Sequence, residues 1–215
     1  LVLQDQPHFA GHTRATAVQP HWLRAMGTAY ARLAREPAFL LYVAILAMTT
    51  GTFYTFLAGA PIVLGSYGVR PDGVGYYIMC VPLAYIVGNY ITSHLVHRVG
   101  ERRMMLAGHA FNLGALTLLL GLGLAGVNTP LAFSLPLILM GLGHGFLVPP
   151  ALVGTVSLLP ALAGAAAAVA GLAQQLVGAL GGYTVGLVRH EGAVNLGWLM
   201  LGFALCSAVA QGALV

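Results

Sequence analysis

GNYITSHLVHRVGERRMM, Gly88 to Met105, joins two long apolar runs through the densest basic cluster between any two of them, with His97, Arg98, Arg102 and Arg103 crowded together. Apolar sequence stops before His94 and resumes at Met104, so residues 95–103 are expected to form a loop too short to be a domain. Arginines close to span ends are retained on the cytoplasmic side of a membrane. This stretch therefore fixes which way up the protein sits, if the runs on either side of it cross a bilayer.

Composition says that they do. The chain has 215 residues, 59% hydrophobic and 7% charged, against about 25% charged in a soluble domain. A soluble core would still need a polar surface, whereas the uncharged runs here reach the roughly 20 residues that cross a bilayer. The expected fold class is an all-α membrane protein with six transmembrane helices, at about 38–64, 73–94, 104–125, 130–150, 160–187 and 193–214. The expected organisation is a cytoplasmic linker over 1–36 and a six-helix bundle over 37–215.

The linker begins polar, with His8, His12, Arg14 and His21. From Trp22 onward, Trp22, Met26 and Leu33 can share one helical face while Arg24, Arg32 and Arg35 lie on the other. This predicts a short amphipathic helix ended before Pro37, either on the membrane surface or as a solvated linker helix. The net charge of +4 comes from nine arginines and no lysine, against Asp5, Glu36, Asp72, Glu101 and Glu191, all at span ends or in loops. That pattern suits topology and anionic lipid and has nothing of a nucleic-acid surface. Four arginines precede the first span and three follow the second, against Arg70 and Arg189 on the opposite side. Both termini and the Arg98 region are thus expected in the cytoplasm.

Cys80 and Cys206 sit inside apolar runs, which argues against a disulfide framework. No cleavable signal peptide opens the chain, and no metal or cofactor is expected. Because it begins at Leu1 without a methionine and stops at Val215, at the end of an apolar run, it is expected to be part of a longer protein.

Intramembrane polar residues are the default functional candidates, since leaving them unpaired in hydrocarbon is costly. Thr49, Thr52, Phe56 and Gly59 share a face of the first span, with Phe53 beside it and Pro61 expected to bend the outer end. Tyr85, Asn89, Thr92 and Ser93 share a face of the second, and His109 and Asn112 lie in the third. His144 is central in the fourth span, and Gln174 and Gln175 in the fifth. The structural alternatives are that Thr and Ser bond back to their own helices, that Asn ties helices together, and that His109 is interfacial. Gly141, Gly145 and Pro149, and likewise Gly178, Gly182 and Gly186, repeat every four residues, which predicts flat stripes where backbones approach closely.

Enzyme readings find no support. An intramembrane serine protease needs a GxSG-type turn, and a haem bundle needs axial histidines facing one another.

Arg98-Val99-Gly100-Glu101-Arg102-Arg103 resembles the R-x-G-x-R end of the cytoplasmic loop signature of the major facilitator superfamily. Leu95 matches the leucine before it, while His97 and Ser93 replace the usual acidic residue and glycine. FYTFLAGAPIVLGSYGV (53–69), GLGHGFLVPPAL (141–152) and AGAAAAVAGLAQQLVGALGG (163–182) together resemble the carboxyl-terminal half of Bcr/CflA-type drug efflux transporters. The resemblance implies one six-helix half of a proton-coupled antiporter of the bacterial inner membrane. Its partners would be the bilayer, protons, a small amphipathic substrate and an amino-terminal six-helix half that carries the usual coupling acids. Phe53, Phe56, Asn89, His144, Gln174 and Gln175 are the expected substrate-binding residues, and Leu95, Arg98, Gly100 and Arg102 the loop motif. The rival reading is a membrane scaffold in which the polar residues only hold helices together.

Overall fold

The structure, a computed structural model, describes residues 22–189 and 192–214. The polar stretch 1–21 lies outside the described residues, as do the side chains of Trp22 and Met26. The chain enters through α1 (Trp22–Ala34), which ends before Pro37 and lays Leu33 into the core beside Phe39. Arg24, Arg32 and Arg35 are exposed. Seven further helices follow: α2 (Pro37–Ser66), α3 (Val74–Ile78), α4 (Cys80–Val99), α5 (Glu101–Leu124), α6 (Pro130–Ser157), α7 (Ala163–Gly186) and α8 (Ala193–Ala213). With α3 and α4 counted together, and a 3-10 turn (Pro160–Leu162) leading into α7, six are long and apolar enough to span a membrane.

Two details differ from expectation. Leu95–Val99 and Glu101–Arg103 are helical, so the supposed loop at 95–103 is one residue, Gly100, whose φ of 91° lies in the region that only glycine adopts freely. α6 continues past Pro149 and Pro150 to Ser157, beyond the expected end at 150. Pro149 has no N–H, which leaves the carbonyl of Gly145 without its helical donor. Thr92 on α4 supplies one from outside, its hydroxyl donating to Gly145 O at 2.9 Å. A neighbouring helix thus satisfies the group that the proline frees.

The packing repeats. α2 packs chiefly on α7 and α8, while α6, three spans later, packs chiefly on α4 and α5. The first helix of each triplet is clasped by the second and third of the other. The flanks stay open: only 17% of the apolar window of the α3–α4 span and of the α7 span is buried, against 50% for α2 and 61% for α6.

Glycine permits the closest approaches. A methyl on Gly145 would lie 2.7 Å from Gly88 Cα, and one on Gly143 would lie 2.7 Å from Gly108 O, so α6 presses its backbone against α4 on one side and α5 on the other. In α7 the contact face is Gly178, Gly181 and Val185, not the expected Gly178, Gly182 and Gly186. A methyl on Gly182 meets nothing nearer than Ala58 Cβ at 3.9 Å, and one on Gly186 meets nothing within 4 Å.

The apolar core is divided along its length. One cluster gathers Leu64, Leu119, Leu137 and Leu196, and a second gathers Phe39, Leu46, Met105 and Leu147. Between them lie the buried polar side chains Thr49, Thr52, His109, Asn112, His144 and Ser207. Several of these side chains bond from one helix to another, Thr49 to Ser207 and His144 to the backbone of Thr49 among them.

Candidate functional site

A cleft of about 250 Å³ opens at the waist, with one wall from each of α2, α4, α6 and α7. Helix α2 presents Thr49, Thr50 and Phe53 at helical spacing, and α4 presents Val81, Pro82 and Tyr85. Gly141, His144 and Val148 from α6 line it next; Gly141 has no side chain because a Cβ would strike the carbonyl of Val81. Gln174 of α7 completes it.

The polar groups are mutually fixed. Gln174 Nε2 donates to Thr50 Oγ1 at 3.0 Å, and that hydroxyl donates in turn to Leu46 O at 2.9 Å. His144 is 6% exposed, with Nδ1 at 2.8 Å from Met140 O and Nε2 at 3.1 Å from Thr49 O. Thr49 Oγ1 lies 3.0 Å from Ser207 Oγ, and Ser207 Oγ lies 3.2 Å from Ile45 O, which carries the network to α8. Phe53 faces the His144 ring at 6.5 Å between centroids. No acid or arginine lines the cleft. Such a surface offers aromatic faces, three hydroxyls, an amide and an imidazole, and so suits an amphipathic molecule that uses few oriented hydrogen bonds.

Of the six residues expected to bind substrate, the structure brings Phe53, His144 and Gln174 together. The other three lie outside the cleft. Phe56 is 1% exposed and stacks on Phe133 at 6.4 Å in the apolar core. Gln175, the next residue round α7 from Gln174, is exposed and accepts from Tyr54 OH at 3.4 Å. Asn89 lies one turn beyond Tyr85, half-buried, with Oδ1 enclosed and without a partner. Thr50, Val81, Pro82 and Val148 escaped sequence reasoning: three are apolar, and a lone threonine gives no signal.

His109 is 5% exposed in α5, one turn from Asn112 at 1%. Neither ring nitrogen of His109 and neither amide atom of Asn112 has a hydrogen-bond partner.

The two ends of the bundle are also ordered. At one, Tyr67 OH donates to Asn128 Oδ1 at 3.3 Å and accepts from Ala193 N at 3.0 Å, near an Arg70–Asp72 ion pair of 3.4 Å. At the other, Tyr42, Glu101, Arg102 and Gln211 surround a cavity of about 280 Å³. Arg98 and Arg102 of the loop motif are exposed beside Gly100, and Leu95 is 42% exposed.

In comparisons with known proteins, the family model described as Major Facilitator Superfamily matches residues 2–182. No curated protein and no solved structure matches the chain.

Proposed function

The chain belongs to the major facilitator superfamily of transporters, and on that premise we propose that it is the carboxyl-terminal half of a proton-coupled efflux antiporter of the Bcr/CflA type, exporting small amphipathic drugs or metabolites. The observation that carries this is the shape of the cleft. Its volume, about 250 Å³, falls below the roughly 300–1,000 Å³ of sites that enclose a drug-sized ligand. It is half a site. The helices at its margin, α4 and α7, are the two that leave most of their apolar surface uncovered, with Leu83, Ile86 and Val87 exposed on one and Leu172, Leu176 and Leu180 on the other. A second six-helix bundle set against these flanks would close the cleft into one central cavity, and rocking of the two bundles would open it to either side in turn.

Substrate contact in this half falls to Phe53, Tyr85, His144 and Gln174. The test is efflux of several substrates from cells at matched expression. Alanine at Phe53, His144 or Gln174 is expected to change the substrate profile without lowering the amount in the membrane, while Phe56→Leu changes stability alone. Unaltered efflux of every substrate in all three cleft variants would remove the cleft from the transport path.

The orientation proposed places both termini and Gly100 in the cytoplasm of a bacterial cell, because arginine gathers at that end. A cysteine at position 102 that reacts with an impermeant reagent from outside, while one at position 70 does not, would invert it.

A further inference from the structure

His144 makes two contacts that one neutral ring cannot satisfy. Both of its nitrogens face backbone carbonyl oxygens, Met140 O at 2.8 Å and Thr49 O at 3.1 Å. A carbonyl oxygen only accepts, and a neutral imidazole carries one N–H, so the neutral ring donates to one oxygen and turns a lone pair toward the other. The protonated ring donates to both. We propose that His144 is a proton-binding site within this half of the transporter, and that its proton ties α6 to α2 across the cleft.

The two carbonyls differ in what their loss would do. Met140 lies one turn back on the same helix, so its distance to the ring is held by α6 itself. Thr49 belongs to another helix, and when the ring gives its Nε2 proton to water in the cleft, the tie to α2 is the one that opens. Thr49 stands at a junction. Its hydroxyl meets Ser207 of α8, and its neighbour Thr50 accepts from Gln174 of α7. A movement of the α2 backbone here is therefore shared by the helices that clasp it.

The electrostatic setting is simple. Among the described residues, Tyr85 of α4 lines the same cleft, and His109 of α5 is within electrostatic reach of the His144 ring. From α2 and α7 the residues facing the cleft are Thr49, Thr50, Phe53 and Gln174, none of which titrates. With no carboxylate opposite, proton uptake places a net positive charge in the cleft. A lipophilic cation arriving there meets a like charge, so cation and proton exclude one another. This exchange rule rests on the antiport reading above and extends it: it names cationic amphiphiles as the substrate class for which this half can couple on its own.

The experiment is a pH titration of the full chain in lipid nanodiscs, with isotopically labelled histidine observed by magnetic resonance and His144→Gln identifying the signal. Should that variant fail to accumulate, contact with the Phe53 ring identifies the same signal in the native sequence. The expected result is a ring protonated on both nitrogens at the acid end that loses one proton as the pH is raised. Saturating tetraphenylphosphonium should move that transition to lower pH by about one unit, a tenfold competition. A His144 ring that stays neutral, in one tautomer, across the whole range overturns the proposal. A ring that titrates but ignores the cation keeps the proton site and overturns the exchange rule, while the antiport reading is decided by the efflux test above.

Discussion

The seam between α4 and α6 and the seam between α7 and α2 are counterparts in the repeat of helix packing, yet they are made of different material. In the first, glycine meets glycine: methyl groups on Gly88 or Gly145 would sit within 3.0 Å of main-chain atoms of the other helix, and Thr92 adds a hydrogen bond to Gly145 O. In the second, a methyl on Gly178 would lie 2.8 Å from the ring of Tyr54, and one on Gly181 would meet main chain at Gly51 O. Main chain gives way only if a whole helix moves, whereas a ring can turn about its own bonds. The cleft lies between the two seams, with one wall fixed and one able to yield. Equivalent places in a repeat need not be mechanically equivalent.

The contrast can be broken by substitution. Gly145→Ala should be the most damaging single change, because the methyl has no side chain to displace; a loss of about 3 kcal/mol is expected, the upper range for overpacking. Thermal unfolding in detergent measures it, and a wild-type melting temperature would mean that α4 and α6 are not in backbone contact. Gly178→Ala should cost about half as much by the same overpacking argument. Adding Tyr54→Ala should recover most of that loss, whereas equal costs at Gly145 and Gly178 would erase the difference between the seams.

A finer probe is Thr92→Val, which strips Gly145 O of its donor and keeps the shape. About 0.6–1.7 kcal/mol is the scale of side-chain hydrogen bonds between membrane helices, and Thr92→Ser should restore it. A neutral Thr92→Val would show that the freed carbonyl needs no partner. The smallest effect belongs to Gly182→Ala, expected within about 0.5 kcal/mol of the native protein, since its methyl would only touch Ala58 Cβ at 3.9 Å. A large loss there would restore the four-residue stripe as the true contact face.

That last pair of glycines shows what the sequence could and could not tell. Six apolar helices long enough to span follow from composition and length, because the bilayer imposes them on any chain. Gly141 and Gly145 were legible too, since close packing demands small residues at that spacing. Helix α7 offered glycine at 178, 181, 182 and 186, and sequence alone could not choose. Steps of four drift about 40° round a helix, and only the position of α2 decides that Gly181 faces in and Gly182 does not. The cleft followed the same logic. His144, Gln174 and Phe53 stand out as mid-span residues with chemistry. Whether Gln174 or Gln175 points inward is a matter of one residue's rotation, set by Thr50 on a helix 124 positions away. The unpartnered His109 and Asn112 gave no hint of their burial, because their depth depends on where α5 meets its neighbours.

Gly100 has a consequence for how the protein sits in the membrane. With one residue between them, α4 and α5 have to turn back at the same face of the membrane, as a helical hairpin. The tip of that hairpin bears Arg98, Arg102 and Arg103, each costing about 2.5–3.5 kcal/mol at the centre of an inserted helix. In the orientation proposed above, those arginines stay on the cytoplasmic side and the two helices cross the bilayer as a pair.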